Sequence, residues 1–582
     1  MHRTLLPLII VVFMATGLSA CDGDGSSVTD VKCQCYCPRG KCPDVTCSTP
    51  DLLTPDVVEE PDEDVPVVIP ELKIALSVEQ EVLSGIAQIE ATVTGGQAIM
   101  GVEFYVDAIR IETDQIPPYN VTVNTTDFPD GSHYVSAFTA DTAGNTATDA
   151  ETFTFDNTPP AITGTTPVEG DVVFMEDGPL NVSMDVDDPA AIKSALIRAN
   201  GLLVGEFLAP PFTASINWAN LFIDINSLPK NVYLQYEAVD YLGQKGEATL
   251  NVAVHRRLAW SYETVGEIWG TARALNNGNV VFGNSNHKVY CLNPQGSLVW
   301  SFTADQQIIE APAVDPSTNQ VYVGTVGGTV YGLTANGSEY WSKSIGTPVG
   351  GDLVFSNGLV YVAGFNGSVI AMQPSNGNSQ WEASLTTQVM GAPAVASDGT
   401  VYVGGQDKIM YAVQNGSVKW SIPTGGEIWS TPAVGADYTV YFGSNDGWVY
   451  ALKPDGSTKW VMDVGGQIWG QPLIATDGHI IVASTSKYVT KLEPNFGVQI
   501  WTTKTEGITN SSPVQAADGT LMVGTTGGKI FAIEPEAGVV QWTYQVGNTI
   551  HATPLLLDNR AYFGSTDRNF YSLQLTPEGE GQ

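Results

Sequence analysis

Positive charge is scarce in this chain. Against 62 Asp and Glu stand 25 Lys and Arg, a formal net charge of −37 over 582 residues. So acidic a surface repels phosphate backbones, which argues against nucleic-acid binding. Anionic lipid headgroups are repelled in the same way, so any membrane link needs an anchor. Histidine is equally thin: His2, His133, His255, His287, His479 and His551 are scattered and make no His-Glu-x-x-His. Cys-x-x-Cys-His and the Gly-x-Ser-x-Gly elbow are missing, and Gly527-Gly528-Lys529-Ile530 lacks the hydroxyl residue of a phosphate loop. Beyond position 47 the only cysteine is Cys291. The apolar run Leu5 to Met14 is too short to span a bilayer comfortably. No catalytic motif emerges.

What is present begins with a short basic segment, Met1 to Arg3, then that apolar run, then Leu18-Ser19-Ala20-Cys21. This resembles the lipobox of bacterial lipoproteins. The resemblance implies a signal peptide over 1–20, lipidation of Cys21 and tethering to a bacterial membrane outside the cytoplasm. Asp22 is similar to an inner-membrane retention signal of enteric bacteria, so the outer membrane (periplasmic face or cell surface) and the inner membrane both stay open.

Residues 21–70 read as a stalk. Cys33, Cys35, Cys37, Cys42 and Cys47 crowd together among Pro, Gly, Lys and Asp. In an exported chain such density favours disulfides, and an odd number leaves one thiol free or paired with another chain. Cys-x-Cys-x-Cys offers soft metal ligands, but no histidine lies near and Cys-x-x-Cys pairs are absent, so no metal is expected here. From Pro50 to Pro70 the chain is Pro-rich and acidic, with too little apolar surface to fold. It should be a disordered, extended spacer.

Two β-domains are expected over 71–156 and 157–256. Lys73–Val78, Ala87–Val93, Val102–Val106 and His133–Ala140 alternate as half-buried strands between turn residues. The unit repeats: Pro117-Pro118-Tyr119 precedes Asp141 and Gly144 as Pro210-Pro211-Phe212 precedes Asp240 and Gly243. Asp130-Gly131-Ser132-His133 and Ala140-Asp141-Thr142-Ala143-Gly144-Asn145 resemble the bacterial Ig-like domains of surface proteins, and Ala238-Val239-Asp240-Tyr241-Leu242-Gly243 matches more weakly. Asp156-Asn157-Thr158-Pro159-Pro160 joins the copies. Its oxygen ligands suit calcium, as in cadherin-like arrays; the same residues are ordinary turn formers.

The C-terminal half carries the strongest signal. Trp260, Trp300, Trp341, Trp381, Trp420, Trp460, Trp501 and Trp542 recur at intervals of 40, 41, 40, 39, 40, 41 and 41 residues. A period near forty with short β-rich runs is the signature of a radial propeller, each repeat one small sheet that must stack on its neighbours. The phrase Ala451-Leu452-Lys453-Pro454-Asp455-Gly456-Ser457-Thr458-Lys459-Trp460 returns as Ala532-Ile533-Glu534-Pro535-Glu536-Ala537-Gly538 before Trp542. It resembles the tryptophan-docking motif of PQQ-like, quinoprotein-type eight-bladed propellers, which implies tryptophans packed between adjacent blades. The final repeat stops after its third strand, so Leu258–Glu263 should supply the missing outer one and remove an exposed edge. The expected fold is all-β: two Ig-like sandwiches, then an eight-bladed propeller over 257–576 and a tail at 577–582.

Quinoprotein dehydrogenases share that fold and carry adjacent cysteines near the quinone. Here Cys291 takes the small-residue place of the docking phrase and reads as a buried structural thiol. No PQQ and no catalytic residue are expected. One constellation remains, three residues before the Ala/Pro-strand proline of each repeat, the first and third by looser alignment: Trp269, Ile309, Val349, Met390, Trp429, Trp469, Asn510 and His551. Three of these belong to Glu/Gln-Ile-Trp phrases. An aromatic ring at a channel mouth suits partner recognition; the same side chains could equally plug the channel as core. The resemblance extends to the propeller lipoproteins of outer-membrane-protein assembly, which implies a scaffold for an envelope or surface protein; that family lacks Ig-like spacers. A carbohydrate or surface adhesin and a PQQ-dependent oxidoreductase are the alternatives.

Overall fold

The computed structural model describes residues 70–78 and 80–576. The expected signal peptide, lipidated Cys21, the stalk cysteines Cys33, Cys35, Cys37, Cys42 and Cys47, and the 577–582 tail lie outside the described residues. Among the described residues the chain is all β apart from four short 3-10 turns. No helix there is long and apolar enough to cross a membrane.

Residues 73–155 form two facing sheets. One has three strands, Lys73–Ser77, Ile86–Thr94 and Tyr119–Asn124; the other has five, built around Ile99–Val106, Gly131–Asp141 and Thr146–Phe155. Side chains alternate in and out along each strand, so His133, Val135, Ala137, Thr139 and Asp141 all point inward from Gly131–Asp141. Ile89, Phe104, Val121 and Phe155 fill the space between the sheets. Residues 161–255 repeat this arrangement strand for strand, with Leu180–Asp187 central in the three-stranded sheet and Lys230–Asp240 in the five-stranded one. The second core adds Trp218, whose indole N–H donates to Gly178 O at 2.6 Å.

From Leu258 on, the chain makes eight four-stranded antiparallel sheets. Seven are local meanders such as Ala313–Val314, Val321–Gly324, Thr329–Leu333 and Glu339–Ser344. Middle strands bury nearly every residue, because neighbouring sheets cover both of their faces. The eighth sheet is composite. Leu258–Glu263 pairs antiparallel with Asn569–Gln574, Tyr262 opposite Phe570, as the missing outer strand required. Innermost strands of most successive sheets touch, and Leu555–Leu557 of the last touches Arg273–Ala274 of the first. The series therefore returns on itself.

The tryptophans explain the spacing. Trp260 donates its indole N–H to Pro294 O at 2.8 Å, on the turn of the next sheet. Trp300, Trp341, Trp420, Trp460 and Trp501 do the same to Ala335, Pro374, Pro454, Pro494 and Pro535. Each ring lies on the turn's glycine. At Gly497, with φ +71°, an added Cβ would stand 2.6 Å from Trp460, so both conformation and contact demand glycine. Trp341, Trp460, Trp501 and Trp542 are buried, whereas Trp260, Trp300, Trp381 and Trp420 are half-buried. Trp381 departs from the pattern: its repeat is one residue shorter, and a Cβ added at Gly416 would meet the Trp381 Cβ at 3.6 Å and not its ring.

Candidate functional site at the channel rim

Each sheet's innermost segment follows its tryptophan strand, and in six of the eight it carries a buried apolar wedge seated on a glycine. Ile268, Ile308, Val349, Ile428, Ile468 and Ile550 fill this place, each seated on a glycine of its own or a neighbouring sheet. Their backbone N–H groups donate to the preceding sheet, as Ile308 N does to Asn284 O at 3.1 Å and Val349 N to Thr325 O at 3.3 Å. Val349 is thus a wedge and not a rim residue. The sequence alignment was one position out in this repeat, because Pro348-Val349-Gly350-Gly351 lacks the Ala-Pro marker; Gly350 takes the rim place.

The other rim positions stand one residue past their wedges and are partly open. Trp269 is 39% exposed and Met390 40%, while Ile309, Trp429, Trp469, Asn510 and His551 are half-buried. The wedges are buried where the rim side chains are not. The structure brings five of the seven into two groups. Trp269 stacks on His551 with centroids 4.5 Å apart and planes 9° from parallel, and Asn510 Nδ2 lies 3.3 Å from His551 Nδ1. Trp429 and Trp469 pack at 5.4 Å. The sulfur of Met390 accepts from Gln406 Nε2 at 2.9 Å.

The Glu-Ile-Trp phrase acts as a clip. Glu267 accepts the indole N–H of Trp269, and Glu427 that of Trp429, both at 2.9 Å. This fixes both ring planes. Trp469 turns instead to Asn445 Oδ1 at 3.0 Å. Burial lowers the His551 pKa, only partly offset by Glu267, which favours the neutral form of the stacked imidazole.

Below the rim a cavity of about 340 Å³ is lined by Thr271, Arg273, Asp352, Thr431, Gln471 and Thr553. A polar belt links sheets around it. Ala311 N donates to Asp352 Oδ1 (2.7 Å), Ala392 N to Thr431 Oγ1 (3.1 Å) and Gln471 N to Ser512 Oγ (2.8 Å). Ser512 N donates to Thr553 Oγ1 and Thr553 N to Thr271 Oγ1, both 3.1 Å, the latter joining last sheet to first. Arg273 Nη2 pairs with Asp352 Oδ2 at 3.2 Å. Burial, then the charge of Asp352, pushes the Glu310 carboxyl well above its ordinary range. This acidic pair was missed in the sequence. Its signal was there: Glu310 stands where other repeats carry Gly270, Gly391, Ser430, Gly470, Ser511 and Ala552.

A quinone carrying three carboxylates would meet Asp352, of like sign, and an arginine already paired with it. Cys291 lies fully buried opposite Trp300, its thiol pushed up to about 12 by burial, away from any ligand. These residues do not fit that cofactor.

Comparison with known proteins adds the family. The model of the PQQ_2 family, described as outer membrane protein assembly factor BamB, matches residues 250–336, 326–460, 421–549 and 485–576. Together these segments cover more than half of the 582 residues. The chain belongs to the PQQ_2 family. Residues 70–137 match the bacterial Ig domain model. Among solved structures, BamB from Moraxella catarrhalis is 20% identical over 55% of this chain and 99% of its own, with a TM-score of 0.49. The computationally designed Ika8 protein is 16% identical over 54% of this chain and 97% of its own, at 0.48. No curated protein matches. The PQQ_2 repeats make this a β-propeller protein with an Ig-like domain before it.

Proposed function

We propose that the eight sheets are the blades of a closed propeller that works as a non-catalytic scaffold for an envelope protein. Cys21 is its lipid anchor, and the stalk and both sandwiches, the second Ig-like as well, are its spacer from the membrane. The observation that carries the docking role is the pair of clipped indoles, Trp269 and Trp429, held partly open at the rim. Trp and Met are favoured contact residues, and preset ring planes suit a protein surface or an extended segment. The family description, an outer membrane protein assembly factor, agrees with a scaffold of this kind.

The test uses photo-crosslinkers at Trp429 and Trp269, with Val418 on an outer strand as control. The expected result is one discrete adduct in native membranes from the rim alone. Trp429→Ala/Trp469→Ala should abolish it in a variant that melts like the parent. Equal labelling from Val418, or unfolding of the double variant, overturns the rim as a site. A rim that binds glycans in place of protein favours the adhesin reading. Cys21→Ala should move the protein out of the membrane fraction.

A further inference from the structure

The two sandwiches differ at one equivalent residue. In the first, Asp141 ends the Gly131–Asp141 strand, buried, and its carboxylate takes four donors. These are Ala143 N (3.0 Å), Asn145 N (2.9 Å), Asn145 Nδ2 (2.9 Å) and Gln97 N (3.0 Å). In the second, Asp240 ends the Lys230–Asp240 strand and is fully buried. Its Oδ1 accepts Gln244 N at 2.9 Å, but Oδ2 has no partner. Gln244 cannot repeat the service of Asn145, since its amide reaches instead to Asp156 O at 3.3 Å.

The unpartnered oxygen of Asp240 faces two more acids. Asp156 follows the last strand of the first sandwich and is fully buried; Asp188 lies in the second, after the Leu180–Asp187 strand. One carboxylate oxygen from each of the three lies within 4.8 Å of the other two. The remaining oxygens are satisfied: Asp156 Oδ1 accepts Thr158 N at 3.3 Å and Asp188 Oδ1 accepts Ala190 N at 2.9 Å. The Oδ2 atoms of all three are buried and unpartnered. Three converging carboxylate oxygens without a donor, in a site closed to water, are strongly unfavourable unless something positive sits among them. No lysine or arginine is paired with any of them among the described residues.

We propose that Asp156, Asp188 and Asp240 bind one calcium ion that locks the first sandwich onto the second. The donor set is oxygen only, which selects hard cations and leaves zinc and copper without their preferred nitrogen or sulfur. Calcium accepts a flexible cage of protein carboxylates, whereas magnesium dehydrates reluctantly and keeps several waters. The rest of the Asp156-Asn157-Thr158 linker is occupied elsewhere. Asn157 N and Thr158 Oγ1 both donate to Asp130, at 2.8 and 2.7 Å, so of these three linker residues Asp156 alone turns to the ion. The proposal is independent of the rim's role.

The full chain, stripped with chelator, is titrated with calcium chloride by calorimetry, with magnesium chloride in parallel, and its melting is followed. The expected result is one calcium per chain, a raised melting temperature and at least tenfold weaker magnesium binding. Asp188→Asn should weaken calcium binding at least tenfold and abolish the melting shift. Without calcium it should melt no lower than the parent, because it removes one of three like charges. Asp240→Asn carries the same binding expectation should the first variant not fold. Absence of binding at millimolar calcium, undiminished affinity in both variants, or a preference for magnesium overturns the proposal.

Discussion

The guanidinium of Arg257 lies 3.7 Å from the ring centroid of Trp542 and is nearly inaccessible, at 2% exposure. Its other face covers Phe174 at 4.1 Å. Nε and Nη2 donate to both oxygens of Asp177 (2.9 and 2.7 Å), and Nη1 donates to Gln574 O and Leu575 O (2.8 and 3.0 Å). One side chain therefore ties the second sandwich to the last strand of the eighth sheet. Planar, permanently charged and able to stack, arginine suits this role where lysine would not.

Removing Asp177 should leave that guanidinium buried with two of its donors unanswered. Asp177→Ala is expected to cost about 3 kcal/mol, the lower end for breaking a buried pair because Asp177 itself is partly open. Chemical denaturation should show it, with the sandwich separating from the propeller in a distinct transition. A single unchanged transition would mean that Arg257 is satisfied by carbonyls alone.

Deleting residues 258–263 takes away the outer strand of the eighth sheet and bares the Asn569–Gln574 edge. The burial lost with Trp260, which is half-buried, is roughly 1–2 kcal/mol, and the lost strand pairing adds to it. We expect a melting temperature lower by about 10 °C and new concentration-dependent association through the open edge. A melt equal to the parent's would show that the ring does not depend on this closure.

The indole hydrogen bonds predict unequal tryptophans. Trp460→Phe keeps most of the ring but loses the 2.8 Å bond to Pro494 O, a loss of about 1 kcal/mol. Trp381→Phe should cost less, since among the described residues no turn carbonyl accepts its N–H. Gly497→Ala should cost about 1–3 kcal/mol through its positive φ and its collision with Trp460. Equal losses for both tryptophans in urea unfolding would rule out the docking bond as the source of the periodicity.

Asp141 predicts acid sensitivity of the first sandwich. Its pKa is lowered from 3.8 to about 2, first by Asn145 Nδ2, then by Gln97 N and two further amides. A carboxylate depressed in the folded state stabilises above its unfolded pKa. That contribution is present above about pH 4 and is lost as pH falls toward 2. Asp141→Asn should be less stable at pH 7 and flatter between pH 4 and 2 than the parent. Parallel pH profiles, measured by fluorescence melting, would count against it.

Much of the repeat architecture was legible from the tryptophans. Each sheet is a local meander, so its strands, its turn glycine and the next docking tryptophan all fall within about forty residues and recur in phase. The missing outer strand could be inferred for the same reason, by finding one strand too many at the start and one too few at the end. The rim was readable except in the third repeat, where Asp352-Leu353 take the place of Ala-Pro and the alignment slid from Gly350 to Val349. Whether rim side chains were core or surface could not be read, since Ile-Trp offers two apolar neighbours of which only burial identifies the wedge. The chemistry of the stalk lies outside the described residues.

The order of strands, their repeat length and the place of closure were thus written in local pattern, because hydrophobic periodicity and turn chemistry act between near neighbours. Three pairings were decided only in space. Arg257 and Asp177, Glu310 and Asp352, and Asp156 with Asp188 and Asp240 are charged residues far apart in the chain. Alone, each reads as a solvated surface group. Folding brings them together, and at short range in a partly desolvated site each group must find a partner or hold its proton, which the residues next to it in the chain do not decide.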